Sequence, residues 1–146
     1  MAELMIKFTD HITSSSFEEN VDKLPYWGRT TNIDLGLEVA YEEMFQEYNG
    51  MRSNASKTLV LLSDGRDTRV RFDLWREKLN TAGIRVLVIG VGNINKRDLR
   101  HMVNDDKDFY IAKDFNDLLS DEFMNSIILC GGKLLIIERF KNIIQQ

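Results

Sequence analysis

Oxygen-bearing side chains in two predicted loops are the residues best suited to chemistry. Asp64, within Ser63-Asp64-Gly65, directly follows a continuous apolar run, and Gly65 allows the chain to turn sharply there. The second loop, Gly28-Arg29-Thr30-Thr31-Asn32, offers hydroxyl groups just before a helical pattern. Carboxylate and hydroxyl oxygens are ligands that Mg²⁺ and Mn²⁺ prefer. The two loops therefore indicate a metal or ligand site. Equally, Asp64-Gly65 could be a plain turn and residues 30–34 could cap the helix.

Other site chemistries find less support. His11 and His101 stand alone, so the sequence holds neither a His/Cys zinc cluster nor a recognisable Ser/His/Asp set. Gly90-Val91-Gly92-Asn93 invites a nucleotide-binding interpretation, but it lacks the third glycine of a dinucleotide fingerprint. A small nucleotide-binding protein or enzyme that uses Asp64 and this turn is the alternative hypothesis.

Alternating strands and helices must position these loops. Continuous apolar runs predict buried strands over residues 58–62 and 84–91, and a shorter strand is predicted over 109–112. Residues 3–9 alternate like a strand, and 12–17 would return as a polar edge strand. Helical spacing predicts helices over 17–24, along a stripe from Leu37 to Tyr48, and over 72–81, 99–103 and 115–129. This order predicts an α/β fold with an open, mostly parallel sheet, helices on both faces and an antiparallel edge strand. Ligands of such sheets bind beyond the carboxyl ends of the strands.

Composition and charge exclude several classes of function. The 146 residues, 43% hydrophobic and 29% charged, are typical of one globular domain, and a net charge of -4 gives no basic surface for nucleic acid. No apolar run reaches the roughly 18 residues of a membrane span, and residues 1–10 do not resemble a secretory signal. Cys130 is the only cysteine, which leaves a buried thiol or a bridge to a cysteine outside this sequence. Asn54-Ala55-Ser56 fits the N-glycosylation acceptor pattern.

Four segments, in order, carry a resemblance to a known family. They are Ile6-Lys7-Phe8-Thr9-Asp10, Gly28-Arg29-Thr30-Thr31-Asn32-Ile33-Asp34-Leu35-Gly36-Leu37, Thr58-Leu59-Val60-Leu61-Leu62-Ser63-Asp64-Gly65 and Gly83-Ile84-Arg85-Val86-Leu87-Val88-Ile89-Gly90-Val91-Gly92. Together they are similar to the von Willebrand factor A-type domains, which are integrin inserted-domain-like. The resemblance implies a Rossmann-like domain over residues 1–130 and leaves 131–146 as a tail of undetermined structure.

In that family three loops form a metal-ion-dependent adhesion site, and they carry Asp-x-Ser-x-Ser, a Thr and an Asp. The resemblance assigns Asp64 to the third loop and Thr31 to the second, with Thr30 as the neighbouring alternative. Asp-x-Ser-x-Ser is missing from the sequence, as are the family's first strand and first helix, and Ser14-Ser15-Ser16 does not replace it. We therefore expect Mg²⁺ or Mn²⁺, which complete relatives hold, to bind this chain weakly or not at all.

The resemblance further implies a protein-binding adhesion module of the extracellular matrix or cell surface, and not an enzyme. Its partner would be a protein that offers an acidic side chain to the metal, and Cys130 would bridge to a cysteine before the family's first strand. A missing strand would leave open sheet edges and favour self-association. Three explanations stay open: a truncated adhesion domain, a natural version that has lost its metal, or a tail whose residues 133–137 fill the vacant strand position.

Overall fold

A parallel three-stranded sheet is the centre of the molecule. The computed structural model describes residues 2–10, 13–25, 32–64 and 70–127. Its strands β1 (Lys57–Ser63), β2 (Ile84–Val91) and β3 (Phe109–Ala112) lie side by side in chain order. Lys57 lies opposite Ile84, and Val88 lies opposite Phe109. The predicted α/β class is confirmed, and all three of these strands were predicted within a residue of their observed bounds.

Helices surround the sheet in the part of the chain that the structure describes. They are α1 (Ser14–Asp22), α2 (Ile33–Val39), α3 (Phe72–Thr81), α4 (Lys96–Arg100), α5 (Phe115–Leu118) and α6 (Asp121–Ser126). A π-helical turn, Ala40–Met44, continues α2, and two 3-10 turns follow at Glu47–Asn49 and Asp106–Asp108. None of the helices in these ranges is long and apolar enough to cross a membrane.

The core has two layers because successive strand residues point to opposite faces of the sheet. On one face Val86 and Val88 pack with Trp75 and Leu79 of α3 and with Leu99 of α4. The other face has its own buried cluster, with Leu87, Ile89, Val91 and Ala112 from the strands and Leu118, Phe123 and Ile127 from the region of α5 and α6. Helices therefore cover both faces of the sheet, as predicted.

One edge of the sheet is open among the described residues. There β1 pairs with β2 alone, while β2 pairs with both neighbours. Most side chains of β1 are only half-buried, in contrast to those of β2, which are almost all buried. The prediction of a strand buried on both faces therefore holds for β2 but only partly for β1.

The predicted antiparallel edge strand over residues 12–17 is wrong, because α1 begins at Ser14. Thr13 and Ser16 form a capping box: the Thr13 Oγ1 accepts from the Ser16 N–H at 3.2 Å, and the Ser16 Oγ accepts from the Thr13 N–H at 3.2 Å. This reciprocal pairing satisfies backbone donors that a helix start otherwise leaves without partners. The serines therefore start a helix earlier than the predicted helix over 17–24.

Residues 3–9 also differ from the prediction, since they form no strand. Phe8 is held locally: its N–H donates to the Asn49 carbonyl at 3.1 Å, and its ring lies 6.3 Å from that of Phe45. Alternating apolar residues form a strand only where a neighbouring strand completes the hydrogen bonds. None of the described strands pairs with this segment.

Three helix predictions need correction. The predicted helix over 115–129 is interrupted, because the Ser120 Oγ accepts from the Phe123 N–H at 3.1 Å and starts α6 there. Phe115, predicted to face inward, is 44% exposed. Tyr48 is 72% exposed, because the π-helical turn that continues α2 ends at Met44 and Tyr48 lies in the separate 3-10 turn that follows. The helix predicted over 99–103 lies earlier, at Lys96–Arg100. Cys130 and the tail lie outside the described residues.

Candidate functional site

Asp64 lies where the sequence predicts it, directly after the carboxyl end of β1. Ser63, the last residue of that strand, is buried, whereas Asp64 is exposed to solvent. Ser63 lies opposite Gly90 of β2, and β2 ends one residue later. Parallel strands present their carboxyl ends at one edge of the sheet, which here also carries the turn after β2. We call this the carboxyl edge.

The second predicted ligand cannot be placed, because Thr31 and the neighbouring alternative Thr30 lie outside the described residues. The helix that follows them, α2, begins with a side-chain N-cap. The Asn32 Oδ1 accepts from the Leu35 N–H at 3.1 Å and caps α2. The capping interpretation of this loop is thus correct for Asn32, and the role of Thr31 stays a prediction.

A hydrogen-bonded cluster centred on Asp34 joins the two helices that follow the predicted loops in the sequence. The Asp34 Oδ1 accepts from the Arg71 backbone N–H at 3.1 Å and from the Trp75 indole N–H at 3.0 Å. Its Oδ2 accepts from Arg71 Nε at 3.0 Å. Asp34 lies in the first turn of α2, and Arg71 immediately precedes α3. The helix that follows the Thr31 loop is therefore tied to the helix that follows the Asp64 loop.

The environment of Asp34 favours its ionised form. Burial by itself would raise the pKa of Asp34, but the hydrogen bonds from Arg71 and Trp75, together with the Arg71 charge, lower that pKa below its ordinary value. Sequence reasoning treated Asp34 only as a helix cap. No local pattern would have found it, because its partners lie 37 and 41 positions along the chain.

The described residues do not fit a complete metal site. Among them no group of three or more His, Cys, Asp or Glu side chains could hold a metal ion. Asp34, the acidic residue next to the second predicted loop, uses both carboxylate oxygens in the contacts to Arg71 and Trp75. Octahedral Mg²⁺ needs several oxygen ligands, and Asp64 supplies one carboxylate.

Gly90, near the end of β2, and Gly92, just after it, have structural reasons that involve no nucleotide. A Cβ on Gly90 would lie 2.2 Å from the Cδ1 of Ile94, so Ile94 occupies the space that a side chain would take. Gly92 has a φ of 75°, in the left-handed region that favours glycine. Gly90-Val91-Gly92 is therefore explained by packing and by a turn.

Comparisons with known proteins agree on one kind of domain. The sequence profile of the von Willebrand factor type A domain matches residues 2–125. The collagen alpha-1(XII) chain of Notophthalmus viridescens is 30% identical over 132 residues, which are 84% of this chain and 14% of that protein. Matrilin-3 of Gallus gallus is 26% identical over 69% of this chain and 23% of its own length. The chain therefore spans less than a quarter of either relative.

Solved structures share the fold. Proximal thread matrix protein 1 from the mussel byssus, in a structure described as having a zinc-occupied MIDAS motif, superposes with a TM-score of 0.77. Its sequence identity is 19%, and the match covers 86% of this chain and 32% of that one.

Proposed function

We propose that this chain, which belongs to the von Willebrand factor type A family, is a protein-binding module of the extracellular matrix or cell surface. The observation that carries the proposal is the family match over residues 2–125, which includes Asp64 at the carboxyl edge. The relatives are non-enzymatic matrix and adhesion proteins, so the prediction that the chain is not an enzyme is confirmed at the level of the family.

The carboxyl edge is the proposed binding surface, and the partner is a protein that presents an acidic side chain. Two features support this choice. Asp64 is exposed there, and the Asp34 cluster fixes the starts of α2 and α3 on either side of the two loops. Because one carboxylate makes a poor metal site, Mg²⁺ or Mn²⁺ strengthens the contact only at high concentration.

Binding can be measured by surface plasmon resonance with the full chain immobilised. The analyte is a purified fibrillar collagen, used before and after its carboxyl groups are blocked by amidation. We expect binding that increases with millimolar Mg²⁺ and is lost with the amidated collagen. Asp64→Ala should weaken it. Glu77→Ala, which removes an exposed carboxylate in the middle of α3, should not.

Equal binding of native and amidated collagen would contradict an acidic partner group. No binding to collagen, together with a nucleotide-dependent rise in melting temperature, would favour the nucleotide-binding alternative instead.

The metal prediction has its own experiment. Isothermal titration of the full chain with Mg²⁺ or Mn²⁺ should show no binding tighter than roughly millimolar, because the described residues offer too few oxygen ligands. Micromolar binding that Asp64→Ala abolishes would show that residues outside the described ranges complete the site, and would contradict the prediction.

The open edge of β1 supports a further part of the proposal, namely weak self-association. Unpaired backbone groups on a strand edge can pair with another chain. Sedimentation equilibrium should therefore give an average mass that rises with protein concentration. A strictly monomeric chain at all concentrations would remove this part and leave the binding proposal unchanged.

A further inference from the structure

The sequence has one Asn-x-Ser/Thr triplet, Asn54-Ala55-Ser56, and the structure places it in an exposed turn before β1. The Ala55 N–H donates to the Arg52 carbonyl at 3.1 Å, which closes a tight turn with Asn54 inside it. Asn54 is exposed, and no hydrogen bond joins its side chain to the rest of the described chain. A substituent on this exposed side chain would lie on the surface of the domain, outside the sheet.

A groove lies beside this turn. Its cavity volume is about 470 Å³, within the range of small-ligand sites. Its lining is mixed: Phe8, Phe45 and Met51 supply the large apolar side chains, Arg52, Lys57 and Thr58 supply polar ones, and Ala55 and Ser56 of the acceptor triplet line it as well. Phe8 remains 39% exposed.

Gly50 also lines the groove, where its backbone packs closely against residues 8 and 9. With its φ of 90°, its backbone approaches Phe8 and Thr9 so closely that an added Cβ would lie 3.1 Å from the Phe8 Cβ and 2.7 Å from the Thr9 Cγ2. A glycine is therefore needed at this position of the groove, and the acceptor Asn54 directly precedes the lining residue Ala55.

We propose that Asn54 is an N-glycosylation site and that the first sugar of its glycan covers this groove. In the transfer, the Asn54 Nδ2 forms a bond to C1 of the first N-acetylglucosamine of a lipid-linked donor. The bond from that C1 to the donor pyrophosphate breaks, the lipid pyrophosphate leaves, and the amide loses one proton to a base of the transferase. The inference rests on the extracellular location in the proposed function.

Covering the groove has a physical benefit. The C–H face of a sugar ring is apolar, and apolar contact area removed from water stabilises by about 25 cal/mol per Å². The glycan would also stand next to the amino end of β1, whose open edge can pair with another chain. The volume of the glycan at the amino end of β1 would hinder the pairing of that edge with another chain.

Glycan transfer to Asn54 is tested with the full chain. The chain is given an added leader and is secreted from cells that carry out N-glycosylation. Intact mass is measured before and after peptide-N-glycosidase. We expect one glycan, which is lost in Asn54→Gln and Ser56→Ala and kept in Ser56→Thr. Asn125→Gln is the matched control, because Asn125 is exposed on α6 but outside any acceptor triplet, and it should keep the glycan.

A secreted chain with unmodified Asn54 overturns the inference and leaves the proposed function intact. A glycosylated chain that binds no collagen would support the glycosylation inference and count against the proposed binding function.

Coverage of the groove is tested by binding of an apolar fluorescent dye. Trimming the glycan to one N-acetylglucosamine should leave dye binding low, and complete removal should raise it. Phe8→Ala in the glycan-free chain should lower it again, since that change removes part of the groove lining. Dye binding that is unchanged by complete removal would overturn the covering role.

Discussion

Asp34→Ala is the most informative single change, because it removes three hydrogen bonds, two from Arg71 and one from Trp75, that tie the start of α2 to α3. The Trp75 indole N–H is the costly loss, since Trp75 is only 3% exposed and its donor would be left without this partner. A buried unsatisfied donor costs about 1–3 kcal/mol. The exposed Arg71 guanidinium regains water, so its ion pair contributes at most about 1 kcal/mol.

We therefore expect Asp34→Ala to lower the free energy of unfolding by about 1–4 kcal/mol, a large share of the 5–15 kcal/mol typical of a domain. Urea unfolding followed by tryptophan fluorescence measures it, with Asp73→Ala as the matched control. Asp73 makes its ion pairs with Arg76 and His101 at the surface, where its side chain is 67% exposed. Asp73→Ala should therefore lower the free energy of unfolding by less than about 1 kcal/mol. Equal losses for the two variants would refute the central role of Asp34.

The same pair of proteins gives a pH test. Because the folded-state pKa of Asp34 is lowered, its contribution is fully present above the unfolded value of about 3.9 and is lost as pH falls through the lower folded value. The stability difference between the parent and Asp34→Ala should therefore be constant from neutral pH to about pH 5 and shrink below about pH 4. A difference that grew on acidification would mean that the pKa is raised instead.

Further predictions concern packing. Gly90→Ala should destabilise by about 1–3 kcal/mol, because its methyl group would meet Ile94. Gly36→Ala should instead stabilise by about 0.5–1 kcal/mol, since nothing lies within 4 Å of an added Cβ in α2. Thermal unfolding of the two variants checks both signs, and a gain for Gly90→Ala would contradict the packing explanation. Leu79→Ala, at a fully buried position, should cost about 2–5 kcal/mol in urea unfolding. Leu74→Ala, on the same helix but 39% exposed, should cost far less, and similar losses would count against the assigned core.

The sequence predicts the central strands and α3 well, because buried positions hold apolar residues at a spacing that is typical of a strand or of a helix. The run over 84–91 is apolar throughout because both faces of β2 are covered, and α3 shows its buried stripe at helical spacing. Residues 3–9 show the limit of pattern reasoning. Their alternation is that of a strand, but strand formation depends on a neighbour that the local sequence cannot specify. The start of α1 could have been found, since Thr13 and Ser16 have the spacing of a capping box, although with Ser in place of the usual Glu or Gln.

The candidate site was only partly predictable. Asp64 follows a recognisable strand, so its place at the carboxyl edge could be inferred from position alone. Asp34 could not be, because its function depends on Arg71 and Trp75, which reach it only through the packing of α3 against α2. Thr31 lies outside the described residues, and its part in the site stays a prediction.

The order of the strands bears on how the domain folds. Because β1, β2 and β3 are neighbours in both chain and sheet, each new strand docks on the one made just before it. Lys57 pairs with Ile84 and Val88 with Phe109, so every pairing closes a loop of moderate length, although parallel pairing between separated segments stays slow compared with the formation of local contacts. Because β2 pairs with both of the other strands, neither pairing can form before β2 is in place.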